Sequence, residues 1–584
     1  MAQQRDRLTT QLEAGPVRVT DAIVAVLADA GVRSVVGLPG GYTGDLFSAM
    51  HEHPELRVVQ VREESIGSLM AEAHGRLTGQ PLVVMGQGEW IVGNAGQGYL
   101  EAHLGSSPMV ILTDMSENGP LSHHGPYQGG SGEYGSWDAR KALEGVCKRV
   151  IVSHDPNQAV QHVQLAFKHA CTGDPGPVAV VFHSHALRGR IDTEALPQLH
   201  PTAPYLAPRV QGPHPDQVRA LVEPLATAER PVVLAGNGVR VGQACDALLA
   251  LTERLDLPVA TTASGKGVLD ETHPHALGVI GTFGHAPANA VVGEADVILA
   301  VGTRLGPIDT GDENPALLDP RRQRILQIDI EPLNAAWTYP VALGVIADAG
   351  PALRALAAEA SPSPHAQPAA ERVARARAAH GDWDGPESRS DEMPMAPQRV
   401  IRLLEEHTPA DTVVTCDAGE NRLFMMHWFR NRMAGGYLQP AAGGGMGYAI
   451  PAALGARLAQ PDHPVLAVCG DGGFAMSIHA LMTAAQERLP IGVVVFNNNA
   501  LGWVLHGMGE RAVAAAFDDF DHAAIARSIH CDGVRVSHPD DLAAALEQLP
   551  DLRRPLVIDV PVSLKASFKD IVQPLAAERW QTGD

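Results

Sequence analysis

The stretch 463–504, HPVLAVCGDGGFAMSIHALMTAAQERLPIGVVVFNNNALGWV, decides how this chain folds. An apolar run from Val465 to Cys469 stops at Gly470-Asp471-Gly472. A helix-like segment follows from Ser477 to Glu487, and a second apolar run from Ile491 to Phe496 stops at Asn497-Asn498-Asn499. The natural reading is strand, helix, strand. A short β-α-β unit pairs its strands in parallel through a right-handed crossover, so both strands end on one edge of the sheet. Asp471 and Asn498 are therefore expected side by side.

A carboxylate and an amide oxygen on adjacent strand ends, beside glycines that let a ligand approach the backbone, are hard donors suited to Mg²⁺ carrying phosphates. The helix start expected at Ser477 would add N–H groups for a diphosphate. Gly-Asp-Gly taken alone is equally an ordinary turn. The second motif changes the weighing: Asn497 and Asn498 lie 26 and 27 positions after Asp471, with Leu489-Pro490 ahead of the second strand.

With that spacing the chain resembles the thiamine diphosphate (ThDP) enzymes of the acetolactate synthase and pyruvate oxidase type. The resemblance implies that Asp471, the Asn498 side chain and the Ala500 carbonyl hold Mg²⁺. It sets the cofactor against Gly470, Asp471, Gly472, Gly473 and Asn498. It also makes Met446, in Gly443-Gly444-Gly445-Met446-Gly447, the apolar support beneath the folded cofactor, with Gly445 beside it. Glu420 and Asn421 match diphosphate-contacting positions at which relatives usually carry Gln and His.

Composition bounds the rest. At 584 residues the chain is too long for one core, and domains of roughly 150 residues predict three or four. A net charge of −22 argues against nucleic acid and anionic membrane as partners. No run of about 18 apolar residues occurs, and residues 1–17 lack the apolar centre of a signal peptide, which predicts a cytoplasmic protein. The six cysteines are scattered without a CxxC pair, so neither a zinc site nor a disulfide framework is suggested.

Residues 1–190 alternate helical stretches with apolar strands, which predicts a parallel sheet covered on both faces. Within them the strand Leu56 to Val61 runs through Arg62-Glu63-Glu64 into a helix carrying Ile66, Leu69, Met70, Ala73 and Leu77 at helical spacing. By itself Glu64 reads as an acid in a first helical turn. The resemblance is sharper, because Glu64 stands eight residues before Glu72 of Met70-Ala71-Glu72. It implies that Glu64 is the catalytic group, hydrogen-bonded to N1′ of the aminopyrimidine. A carboxylate in a partly apolar cleft suits such proton work.

Substrate-pocket candidates are Gly41, Tyr42, His123, His124, Tyr134, Lys266 and Trp503. Three of them lie where the chain departs from its relatives or in loops. Tyr134 aligns with a family Phe, and His123 and His124 sit in a loop where histidines are more often merely exposed. The stretch from Gly88 to Gly105 is a longer loop than usual. Lys266, in Ser264-Gly265-Lys266-Gly267, matches a lysine at the family's active-site mouth and reads otherwise as a surface lysine. Trp503 stands four residues ahead of Gly507, where acetolactate synthases carry a bulky Trp that helps select the acceptor.

Residues 210–358 alternate again and resemble the family's middle domain, which in relatives holds FAD, ADP or nothing. Arg304 matches a flavin-contacting position, whereas Leu305-Gly306-Pro307-Ile308 departs from the flavin pattern, so FAD is left open. Residues 359–396, rich in Pro, Ala and charge, read as a linker with one exposed helix. Residues 397–584 form the last domain. The expected architecture is α/β, with three doubly wound parallel-sheet domains: pyrimidine-binding, central and diphosphate-binding. The resemblance implies a homodimer at least, with tetramers common. It further implies a decarboxylase and carboligase acting on a 2-oxo acid, or a C–C lyase or decarboxylase acting on another donor such as a 2-hydroxyacyl or oxalyl CoA thioester.

Overall fold

A computed structural model describes residues 15–117, 127–193, 199–206, 210–381 and 385–572. The chain divides into two compact units, Met1–Val210 and Gln211–Asp584. The first holds one six-stranded sheet and the second holds two, and every strand pairing within the three sheets is parallel.

In the first unit the strands of the six-stranded sheet are β1 (Ser34–Gly37), β2 (Arg57–Gln60), β3 (Leu82–Met85), β4 (Met109–Asp114), β5 (Arg149–Ser153) and β6 (Pro177–Phe182), in the order β2-β1-β3-β4-β6-β5. The three central runs, LVVM, MVILTD and PVAVVF, are wholly buried, as expected where helices cover both faces. Val24, Leu27, Val160, Val163 and Phe167 pack against one face of this sheet. The helix Glu64–Thr78 stops at Gly79, whose φ of 64° is the left-handed conformation glycine adopts without penalty, and whose N–H caps the Gly75 carbonyl. Inside that helix Glu72 is spent on structure. Its carboxylate lies 3.2 Å from Arg76 Nε and accepts from Ser107 Oγ at 3.0 Å, all of it buried.

In the second unit the central sheet comprises β7 (Pro231–Ala235), β8 (Val259–Thr261), β9 (Ala276–Val279), β10 (Val297–Val301), β11 (Arg324–Asp329) and β12 (Leu343–Ile346), ordered β9-β8-β7-β10-β11-β12. The last sheet comprises β13 (Val413–Cys416), β14 (Tyr437–Leu438), β15 (Val465–Gly470), β16 (Gly492–Asn497), β17 (Asp532–Arg535) and β18 (Leu556–Pro561), ordered β14-β13-β15-β16-β18-β17. Alternation of strands with helices thus yields the three parallel α/β layers expected from the pattern.

Two local expectations need correction. The helix after β15 begins at Asp471, directly behind Gly470, and breaks at Ile478 before continuing as His479–Gln486. The glycines do not delay it to Ser477 because Gly472 and Gly473 sit in helical conformation. The helix within 359–396, Ala369–His380, is not exposed on its inner side. Val373 and Ala376 join the core over the central sheet, and the buried guanidinium of Arg372 donates to the Pro231 carbonyl at 2.6 Å. Few large apolar residues were enough because alanine packs closely. No helix among the described residues is long and apolar enough to cross a membrane.

Candidate active site

In the second unit, β15 and β16 pair so that Gly470 stands opposite Phe496, which brings the Asp471 and Asn498 side chains to neighbouring strand ends. The N–H of Ala500 donates to Asp471 Oδ2 at 3.2 Å and to Asn498 Oδ1 at 3.1 Å, so the two oxygens converge on one point. The three asparagines have separate tasks. Asn497 is turned inward and donates to Asp559 Oδ1 at 3.0 Å. Asn499, with φ 57°, takes a left-handed turn that a short amide side chain tolerates. Asn498 is left facing Asp471.

Burial raises the pKa of Asp471, and hydrogen bonds from the Gly472 and Ala500 N–H groups oppose that rise. Among the described residues no lysine or arginine pairs with it. A buried carboxylate converging with an amide oxygen, and lacking a lysine or arginine partner, fits a hard divalent cation. Ala500 is buried beside them.

Above this pair lies the glycine-rich loop. A Cβ on Gly472 would stand 2.8 Å from Met446 Cε and 2.9 Å from Leu501 Cδ2, so the Met446 side chain reaches directly over Gly472. A Cβ on Gly473 would stand 2.9 Å from the Asp417 carboxyl carbon. Asp417 is a group the sequence reading passed over as a strand end. Fully buried after β13, it accepts N–H bonds from Ala418 at 2.8 Å, Gly447 at 2.9 Å and Ala449 at 3.0 Å. It therefore pins both the loop carrying Gly445 and Met446 and the start of the next helix. Burial pushes its pKa up to about 6 against those hydrogen bonds.

Glu420 and Asn421 open the helix Glu420–Trp428 and are both buried. Asn421 Nδ2 donates to the Asp417 carbonyl at 3.0 Å. Glu420 Oε1 receives His506 Nδ1 at 2.7 Å and the Phe568 N–H at 2.9 Å. A Cβ on Gly502 would meet Glu420 Oε2 at 2.5 Å and Asn498 Nδ2 at 3.1 Å, so Glu420 and Asn498 face the same helix start. Trp503, in the helix Gly502–Met508, stacks on Phe568 at 4.9 Å and meets Phe283 edge-on at 5.6 Å. It serves packing of that helix in this conformation.

In the first unit Glu64 is buried at the start of its helix and accepts from Asn94 Nδ2 at 2.9 Å. Asn94 comes from the stretch expected to be a long loop. That stretch is instead two short helices, Gly88–Gly93 and Gly96–Leu104, with Asn94 at the break. Near it Gln87 Nε2 donates to Gln128 Oε1 at 2.9 Å. Gly41 takes φ 52°, and the N–H groups of Tyr42 and Thr43 both donate to Asp114 Oδ2, at 3.1 and 3.2 Å. The Arg188 guanidinium lies 4.4 Å from the Tyr42 ring centre. Tyr134 is exposed, and His123 and His124 lie outside the described residues.

The reading of Lys266 as a surface lysine requires correction. Its ammonium is buried, pairs with Glu271 Oε2 at 2.6 Å and donates to the Phe429 carbonyl at 2.7 Å. The same Glu271 oxygen accepts the Asn431 N–H at 2.7 Å. A buried acid five residues downstream was the signal in the sequence.

Three family models match in turn. Residues 17–131 match the thiamine pyrophosphate enzyme N-terminal TPP binding domain, 218–356 the central domain and 417–560 the C-terminal TPP binding domain. These descriptions name no flavin. The chain is 28% identical to a probable acetolactate synthase large subunit of Methanocaldococcus jannaschii over 96% of its own length and 95% of the other's. It is 29% identical to acetolactate synthase isozyme 3 large subunit of Escherichia coli K12, over 94% and 95%. It is 30% identical to a probable 2-ketoarginine decarboxylase of Pseudomonas aeruginosa, over 89% of each. Three matching models between residues 17 and 560, with relatives covered almost fully at moderate identity, make the chain a divergent member of the ThDP-dependent enzymes of the acetolactate synthase and pyruvate oxidase family.

Proposed function

We propose that the protein is a ThDP- and Mg²⁺-dependent enzyme that breaks and forms C–C bonds at the carbonyl of a small 2-oxo acid, decarboxylating a donor and joining it to an acceptor as acetolactate synthases do. The observation that carries this reading is the convergence of Asp471 Oδ2 and Asn498 Oδ1 on the Ala500 N–H beneath Met446. Bound ThDP supplies an electron sink for the carbon beside the cleaved bond.

The chain's own residues orient it and handle protons. Asp471, Asn498 and the Ala500 carbonyl would hold the cation, while Gly470, Gly472, Gly473, Gly445, Asn421 and Glu420 would line the diphosphate side. Met446, which reaches over Gly472, would support the cofactor from its apolar side. Glu64, steadied by Asn94, holds a proton at N1′ of the aminopyrimidine. Glu64 and Asp471 belong to different compact units, and the domain boundaries 1–190, 210–358 and 397–584 with a homodimer or homotetramer complete the proposal.

A larger donor, such as a 2-hydroxyacyl or oxalyl CoA thioester, is the second reading. It is favoured by Gly507, at which a Cβ would meet nothing within 4 Å. One panel separates the two. Purified protein with Mg²⁺ and ThDP is offered pyruvate, longer 2-oxo acids and the thioesters, with release of CO₂ and new carbonyl products measured. Turnover of a 2-oxo acid that falls at least 100-fold in Glu64→Gln supports the first reading. Turnover of the thioesters alone supports the second, and full activity of Glu64→Gln would sink both.

A further inference from the structure

Three neighbouring strands of the first unit, β4, β6 and β5, deliver a cluster of imidazoles and a carboxylate to one end of the sheet. Glu117 follows β4, His154 follows β5, and His183 and His185 follow β6. One ligand atom from each of Glu117, His183 and His185 lies within 4.8 Å of the others. The His183 ring lies 4.3 Å from that of His154 and 5.7 Å from that of His185. None of these residues has a part in the site described above.

The hydrogen bonds fix which atoms are available. His185 Nε2 stands 2.6 Å from the His154 carbonyl oxygen. A carbonyl only accepts, so Nε2 carries the hydrogen and Nδ1 is the ring atom left to ligate. Holding the far ring nitrogen on a backbone carbonyl is how proteins orient metal-binding histidines. Glu117 Oε1 accepts from the Ser184 N–H at 2.6 Å and from Ser184 Oγ at 2.9 Å, and lies 3.3 Å from His183 Nδ1. Glu117 Oε2 and His183 Nε2 are buried and, among the described residues, have no hydrogen-bond partner.

A carboxylate that merely capped the Ser184–Leu187 turn would not explain two buried atoms without partners beside a histidine whose tautomer is already set. Ligand atoms about 2.0–2.2 Å from a shared ion stand roughly 3–4 Å apart, so small side-chain rotations close the set.

We propose that Glu117, His183 and His185 form a binding site for a divalent transition cation of the zinc class, built from residues other than those that would hold Mg²⁺. Two imidazoles and one carboxylate suit such a borderline ion, whereas Mg²⁺ prefers an all-oxygen set. Three protein ligands leave a fourth position for water or for a carbonyl or carboxylate oxygen of a small ligand.

The test uses the full chain saturated with Mg²⁺ and ThDP and titrated with Co²⁺, whose visible absorption reports nitrogen ligation, followed by displacement with Zn²⁺. The expected result is one equivalent bound and displaced by Zn²⁺. Affinity should fall at least ten-fold in Glu117→Gln and in His183→Ala/His185→Ala, and stay unchanged in Asp471→Asn. If the double variant does not fold, His185→Gln, at an exposed position, should still weaken binding and abolish the rise in melting temperature that Zn²⁺ gives the wild type. Absence of stoichiometric Co²⁺, binding undiminished in the foldable variants, or loss only in Asp471→Asn would overturn the proposal.

Discussion

Asp417 and Gly447, separated by 30 residues, are joined by a 2.9 Å hydrogen bond from the Gly447 N–H to Asp417 Oδ1, while Oδ2 takes the Ala449 N–H. One buried carboxylate thereby sets the height of Met446 over Gly472. Its position behind the site, rather than in it, makes its effects separable from chemistry.

Asp417→Asn keeps one acceptor oxygen in place of two, so either the Gly447 or the Ala449 bond is lost. The pH dependence has a definite sign. Burial lifts the folded-state pKa to about 6, above the roughly 3.9 of an unfolded aspartate. The favourable contribution of this group is therefore full below about pH 4 and is lost as pH rises through about 6. The asparagine variant has no such titration. Its melting temperature relative to wild type should improve between pH 4 and pH 7.5 by the equivalent of roughly 2–3 kcal/mol. A pH-independent gap, measured by calorimetry, would refute the assignment.

Lys266 and Glu271 make a second prediction. Their 2.6 Å pair is buried, and burial raises the Glu271 pKa while Lys266 opposes the rise. Lys266→Met strands a buried acid and should cost about 3–5 kcal/mol. Lys266→Met/Glu271→Leu should recover most of that stability and retain activity. A double variant that folds normally but is inactive would return Lys266 to the substrate pocket.

The strands around Asp471 and Asn498 were legible because wholly buried parallel strands read as continuous apolar runs, and because parallel pairing forces their ends together. Glu64 was legible as the acid that follows a strand. What escaped were groups whose roles arise from distant backbone. Asp417 acts through N–H groups near Gly447, Asn94 sits at a break between two helices that local pattern presents as a loop, and Lys266 is held by the Phe429 carbonyl as well as by nearby Glu271. Gly447, Glu64 and Phe429 lie far along the chain from the residues they meet, so periodicity carried no trace of them. The helix of residues 369–380 was misjudged because its buried face is made of alanine and valine and of the aliphatic stem of Arg372.

The contact between Glu420 and His506 gives a third prediction. His506 Nδ1 meets Glu420 Oε1 at 2.7 Å and His506 Nε2 meets the Leu564 carbonyl at 3.1 Å, which ties the Gly502–Met508 helix to two separate segments. His506→Ala removes about 1.5–3 kcal/mol of charge-assisted bonding. The helix should become susceptible to limited proteolysis, and the ThDP concentration for half-maximal activity should rise about ten-fold, with turnover at saturation little changed. Proteolysis and cofactor dependence identical to wild type would show that the stacking of Trp503 on Phe568 suffices to hold it.

The last prediction concerns Asn94, whose Nδ2 donates to Glu64 Oε2 at 2.9 Å. A neutral amide donor steadies a carboxylate without neutralising it, and it leaves the other oxygen for a proton held between Glu64 and the cofactor. Loss of one such bond costs about 1 kcal/mol of positioning, close to a five- to ten-fold effect on rate. Asn94→Ala should therefore lower turnover by about that factor while ThDP affinity stays within two-fold. Asn94→Asp places a second carboxylate against Glu64 and should move the acid limb of the pH–rate profile upward by like-charge repulsion. Glu64→Gln should abolish turnover far more completely than either. Equal losses in Asn94→Ala and Glu64→Gln would mean that Asn94 touches the reacting atoms itself, whereas no loss in Asn94→Ala would leave the 2.9 Å contact without a part in catalysis.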